Sequence, residues 1–143
     1  MSTFSDFRDI KAWQKARELT NDIYSISKKA TFYRDIGLRE QIRRAAVSIM
    51  SNIAEGFERD GKKEFIQFLS IAKGSCGETK SLLIVALDQQ YVDIDTHRRL
   101  ITLADDTGKL IGGLMNYLKK TPLNGTKYKT STNAKRETRN ANG

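Results

Sequence analysis

The chain has 143 residues, 38% hydrophobic and 29% charged, with a formal net charge of +8. That is the size of one domain, with enough apolar material for a core. A single cysteine, Cys76, excludes an internal disulfide and a cysteine zinc site. Pro122 is the only proline, which suits helices, because proline removes a backbone donor and clashes with the preceding turn.

Four periodic segments follow one another. The first runs from about Asp9 to Lys29, where Ala12, Ala16, Leu19, Ile23 and Ile26 step by 4 and 3 along one helical face, flanked by Trp13. The second runs from about Ile36 to Phe57, with Gly56 placed where a left-handed cap is easiest for glycine. The third runs from about Lys62 to Gln90. Its stripe is Phe65, Leu69, Ala72, Cys76, Thr79, Leu83 and Ala86, and Asp60 or Gly61 is its expected cap. The fourth runs from about Asp95 to Lys120, with a stripe of Leu100, Leu103, Thr107, Leu110, Leu114 and Tyr117, and Pro122 to end it. Residues 121–143 are polar and basic and lack the apolar surface to offset ordering entropy, so a disordered tail is expected.

Four amphipathic helices with short connections predict an all-α fold: an antiparallel up-down-up-down four-helix bundle over residues 1–120. The longest apolar run, LLIVAL at 82–87, falls short of the roughly 20 residues a bilayer span needs. The start, MSTFSDFRDIKAW, has no apolar signal core. A cytoplasmic protein without membrane contact is the expectation.

The charge is unevenly spread. Residues 119–143 hold 7 of the 25 basic residues against one acid, Glu137, and so carry +6, which leaves +2 for the body. A phosphate-bearing partner is therefore indicated mainly by the tail and by local clusters. The candidates for nucleic-acid contact are Arg8, Lys11 and Lys15 on the first helix, Arg44 on the second, and Lys62 and Lys63 at the start of the third. Lys127, Lys129, Lys135, Arg136 and Arg139 add to them in the tail. Plain solvated surface charge is the competing account of each.

The second segment carries the sharpest pattern, QIRRAAVSIMSNIAEGFER at 41–59. With Ile42 at 0° and about 100° per residue, Ala45, Ile49, Ile53, Ala46 and Phe57 form one arc, and Met50, Ala54 and Val47 widen it to about 200°. A monomeric bundle needs a stripe only somewhat over about 100° wide, so the excess should bury against another surface. Arg43 falls inside that arc and is expected at an interface or in a buried network with a carboxylate or carbonyl. Otherwise it lies flat at the bundle edge with its head in water. Arg44 falls on the polar side. Small residues form further stripes: Ser70, Gly74, Gly77 and Ser81 on the third helix, and Ala104, Gly108 and Gly112 on the fourth. Each helical glycine costs about 1 kcal/mol against alanine, so a close helix approach is expected there, within the bundle or between subunits. Arg43, Val47, Met50, Ala54, Gly74, Gly108 and Gly112 are the candidate oligomer interface.

DIKAWQKA at 9–16, IGLREQIRRAAVSIMSNIAEGFER at 36–59 and KKEFIQFLSIAKGSCGE at 62–78 resemble the "four helix bundle protein" family. These are bacterial proteins read from intervening sequences of 23S ribosomal RNA genes, formerly called S23 ribosomal proteins. The resemblance covers about residues 7–118 and is most specific from Gln41 to Gly56. The family is similar in fold to the accessory variability proteins of diversity-generating retroelements, which form pentameric barrels and work with nucleic acid. The resemblance thus implies a homo-oligomer, with a pentamer as the candidate stoichiometry, and more weakly a nucleic-acid partner. Two departures stand out: KKATFYRDIGL replaces a first connection that usually holds Phe-Pro, and Met50 stands where a proline usually follows Ser-Ile.

No constellation for catalysis is visible. His97 is a lone histidine in a first helical turn, Cys76 lies on an apolar stripe, and Glu-x-x-His is absent. The expectation is a protein without enzymatic activity, cofactor or metal. Two functions remain in view: association with nucleic acid or a ribonucleoprotein, nonspecific because no base-reading module is present, or a scaffold that engages a protein partner.

Overall fold

The computed structural model describes residues 4–121. After a short 3-10 turn at Phe7–Asp9 come α1 (Lys11–Ile26), α2 (Ala30–Arg34), α3 (Ile36–Glu58), α4 (Lys62–Asp88) and α5 (Ile94–Lys120). The four long helices pack each against the next, and α5 returns to α1, which closes an antiparallel up-down-up-down bundle. The tail expected over 121–143, with Pro122, lies outside the described residues apart from Thr121.

The expected stripes of the first and third segments are buried, from Ala12 to Ile26 on α1 and from Phe65 to Ala86 on α4. The stripe on α5 is corrected at its far end. Leu110 and Tyr117 are half-buried, whereas Ile111 and Leu118 are fully enclosed. Steps of 3 and 4 average close to 3.5 residues, while a straight helix turns every 3.6. The buried seam therefore slides by one position over the length of α5. Polar groups inside the bundle are satisfied at short range. Thr79 and Thr107 each donate to the carbonyl four residues earlier, and Ser48 and Ser75 share a 2.9 Å hydrogen bond between α3 and α4.

Gly56 is not a cap. α3 continues to Glu58, and Gly56 is buried inside it, where an added Cβ would lie 2.7 Å from Phe68 Cβ and 3.0 Å from Phe65 Cδ1. The glycine lets α3 and α4 approach. Gly61, not Asp60, is the N-cap of α4. With methionine at position 50, α3 runs unbroken through that turn.

The first connection, expected as a loop, contains α2. Phe32 anchors it, fully buried and stacked on Tyr91 at 5.1 Å between ring centroids. Tyr91 is held from the other side by the end of α4. There Gln90 adopts φ 64°, Gln90 N donates to Leu87 O, and Tyr91 N donates to Ala86 O. This is a Schellman closure with glutamine in the left-handed position that glycine usually takes. The Tyr91 hydroxyl donates to Asp35 Oδ2 at 3.0 Å, while Asp35 Oδ1 caps α3 by accepting from Leu38 N. The hydrogen bond to Asp35 raises the Tyr91 pKa above its ordinary value. One corner thus ties the end of α4 to α2 and to the start of α3.

Candidate functional site: an arginine–tyrosine groove

That corner builds a groove of about 410 Å³ on the outside of the bundle. α1 contributes Tyr24, α2 contributes Tyr33, and α3 contributes Arg39, Glu40, Arg43, Arg44 and Val47. Arg39 and Arg43 are four residues apart and so share a helix face. Their guanidinium groups interleave with the rings: Arg39 lies 4.1 Å from the Tyr33 centroid, and Arg43 lies 4.5 Å from Tyr24 and 6.0 Å from Tyr33. Such contacts contribute roughly 0.5–2 kcal/mol each, more as water is excluded.

Arg43 was expected to meet a carboxylate or a carbonyl. Its partner is a hydroxyl instead: Nε donates to Ser27 Oγ at 2.8 Å, and Ser27 Oγ in turn donates to Ile23 O at 2.7 Å. Arg43 Nη2 is buried without a hydrogen-bond partner among the described residues. The neighbouring carboxylate, Glu40, leans toward Arg39, whose Nη2 lies 3.7 Å from it. Arg39 also donates to Tyr33 O at 2.7 Å and is only 15% exposed, so it holds α2 in place. Arg44 is exposed and forms no ion pair among the described residues.

The other basic candidates do not gather here. Arg8 is paired with Asp6 at 2.8 Å and lies in the turn before α1, off the face expected for it. Lys15 pairs with Glu18 at 3.6 Å. Lys62 Nζ donates to Thr121 O at 2.8 Å, which ties the start of α4 to the end of α5. Lys11 and Lys63 are exposed. Arg8, Lys11, Lys62 and Lys63 sit toward one end of the bundle, and Arg44 lies about 20 Å along α3 from that end. Lys127, Lys129, Lys135, Arg136 and Arg139 lie outside the described residues.

Of the candidate interface residues, Met50 and Ala54 are half-buried against the core, and Val47 is 38% exposed. Much of the wide apolar arc of α3 is therefore used inside the bundle. A methyl group on Gly74 would meet nothing within 4 Å, one on Gly108 would lie 4.0 Å from Cys76 Cβ, and one on Gly112 would lie 3.8 Å from Lys73 Nζ. None of the three is required by a close approach within the bundle. The outer face of α4 near Gly74 and Gly77 also exposes Ile71, Ile84 and Val85.

Cys76 lies buried under a shallow depression between α4 and α5, and burial pushes its thiol up to about 11. It stays protonated at neutral pH and is a poor nucleophile. His97 Nδ1 sits 3.2 Å from Leu83 O, between α5 and α4. Among the described residues, no three His, Cys, Asp or Glu side chains converge on a metal-sized site, and no helix is long and apolar enough to cross a membrane.

Residues 8–113 match the 23S rRNA-intervening sequence proteins. The chain belongs to that family. A solved structure from the S23 ribosomal protein family of Bacteroides thetaiotaomicron, described as a protein of unknown function, is similar to this chain. It superposes with a TM-score of 0.68 at 22% identity over 73% of this chain and 95% of its own. At that identity the likeness speaks for the fold. No curated protein matches the chain. The match of this 23S rRNA-intervening sequence protein spans α1, α3 and α4 and most of α5, and so includes every residue of the groove.

Of the residues that line the groove, the sequence pattern singled out Arg43, Arg44 and Val47, and not Tyr24, Tyr33, Arg39 or Glu40. The spacing of Arg39 and Arg43 was the available signal. Tyr33 gave none, because it sits in a five-residue helix with no period to read.

Proposed function

We propose that this family member is a non-enzymatic, self-associating bundle that holds nucleic acid, or a ribonucleoprotein, by the phosphate backbone in the cytoplasm. The observation that carries this reading is the convergence of Arg39, Arg43 and Arg44 on one groove that contains a single carboxylate, Glu40. Self-association would repeat the groove with the symmetry of the ring and turn a modest local charge into avidity. The resemblance makes a pentamer the stoichiometry to test. Counterion release makes such binding strongly salt-dependent. In a titration of a short RNA at several salt concentrations, Arg44→Glu is expected to weaken binding about tenfold at low salt and to flatten the log–log salt dependence by about one unit. Affinity that stays flat as salt rises to physiological levels would refute the electrostatic mechanism. A chain ending at residue 120 locates the contact: unchanged binding places it on the body, lost binding on the tail.

A scaffold that engages a protein partner is the second reading, and the exposed Ile71, Ile84 and Val85 beside two unencumbered glycines favour it. The same face would serve self-association. Ile84→Lys leaves the monomer core untouched, because Ile84 is 51% exposed. Light scattering behind size-exclusion chromatography should show a lower mass for this variant at an unchanged melting temperature. A variant of unchanged mass would remove this face from the assembly.

A further inference from the structure

We infer that the groove between α1, α2 and α3 is a subsite for an unpaired nucleotide, so that the protein prefers single-stranded to duplex RNA. This rests on the nucleic-acid reading above and adds a property that phosphate attraction alone does not give.

Two features of the groove need a ligand of two chemistries. The first is uncompensated positive charge. Arg43 is pinned through Nε by Ser27, its Nη2 is buried without a partner, and no carboxylate pairs with it among the described residues. Arg44 beside it is exposed and also without an ion pair among the described residues. A partly desolvated guanidinium favours an anion, and the rigid fork suits phosphate oxygens. Nε is taken by Ser27 and Nη2 is buried, so Nη1 is the edge that Arg43 can offer to such an oxygen.

The second feature is open aromatic surface. Tyr24 is 38% exposed and Tyr33 49% exposed, whereas the other aromatic rings among the described residues are buried or half-buried. Arginines steady both rings, at 4.5 Å and 4.1 Å, so the platforms are already in place before a ligand arrives. A basic groove with exposed, pre-positioned rings takes bases that are free to leave a stack. A duplex keeps its bases stacked inside and has no base face open to a tyrosine ring. A volume of about 410 Å³ also suits one projecting nucleotide rather than a helix of two strands. Other polyanions would satisfy the arginines and leave the rings unused.

The test uses the full 143-residue chain, at physiological salt. The probes are a ten-nucleotide single-stranded RNA carrying one 2-aminopurine, and a duplex of the same length. The single strand should bind at least about tenfold more tightly, and the 2-aminopurine fluorescence should be quenched as the base stacks. The paired variant Tyr24→Leu/Tyr33→Leu keeps every charge. It should lose about tenfold or more of single-strand affinity, abolish the quenching and leave duplex binding unchanged. Circular dichroism and Tyr33→Phe, which keeps a ring and should keep the quenching, separate lost stacking from lost fold. Equal affinity for the two RNAs, or quenching that survives the paired variant, overturns the inference. If Arg44→Gln then weakens both RNAs alike, backbone binding stands without a nucleotide subsite. If neither RNA binds, the nucleic-acid reading falls with it.

Discussion

Phe32→Ala should destabilise the protein by about 3–5 kcal/mol in chemical denaturation, the range for deleting a buried phenylalanine from a packed site. α2 has five residues, too few for a helix to stand on its own hydrogen bonds. Its hold on the bundle comes from the Phe32 ring, which is fully buried and stacked on Tyr91. Truncation would leave a cavity beside Tyr91 and release the segment that carries Tyr33. The second consequence is functional. If the groove works as proposed, the same variant should lose RNA affinity even below its melting temperature, because Tyr33 and the backbone carbonyl that holds Arg39 move together. Tyr91→Phe provides the contrast. It keeps the stack, removes only the hydrogen bond to Asp35 and should cost less. A loss below about 1 kcal/mol for Phe32→Ala would mean that α2 is held by something other than its ring.

The bundle was legible because its signal is long. Seven positions from Phe65 to Ala86 repeat one spacing, and all seven are buried. Such a stripe leaves little choice about which face turns inward. The departures arise where the signal is short or where two rules compete. Leu110 and Tyr117 fit a repeat of 3.5, but α5 follows 3.6, so Ile111 and Leu118 take their places. α2 carries one buried residue and cannot show a period.

The groove was half legible for a related reason. Arg43 lies within the apolar arc, and in the structure it is half-buried. What it meets there is set by tertiary structure, since Ser27 and Tyr24 come from the far end of α1 and Tyr33 from α2. No spacing along α3 contains that information. The glycine stripes were expected to mark a close approach within the bundle or between subunits. Within the bundle Gly74 and Gly77 have open space where a side chain would go, while among the described glycines Gly56 alone stands against its neighbour at under 3 Å.

Gly56→Ala and Gly113→Ala should therefore shift stability in opposite directions, although the chemical change is the same. Both glycines are helical, so each substitution gains about 1 kcal/mol of helix propensity. At Gly113 nothing lies within 4 Å of the new methyl, and the gain should appear in full as higher stability. At Gly56 the methyl would lie 2.7 Å from Phe68 Cβ and 3.4 Å from Phe65 O. Neither atom is the far end of a flexible chain. Phe68 Cβ is bonded to the backbone of α4, so relief requires α4 to move away from α3. Separating two helices loosens every contact along their shared seam, and overpacking of this kind costs about 1–3 kcal/mol beyond the propensity gain. Thermal denaturation of the two variants at equal concentration gives the comparison. A stabilised Gly56→Ala would mean that the α3–α4 seam yields easily, and that the glycine is not what sets their approach.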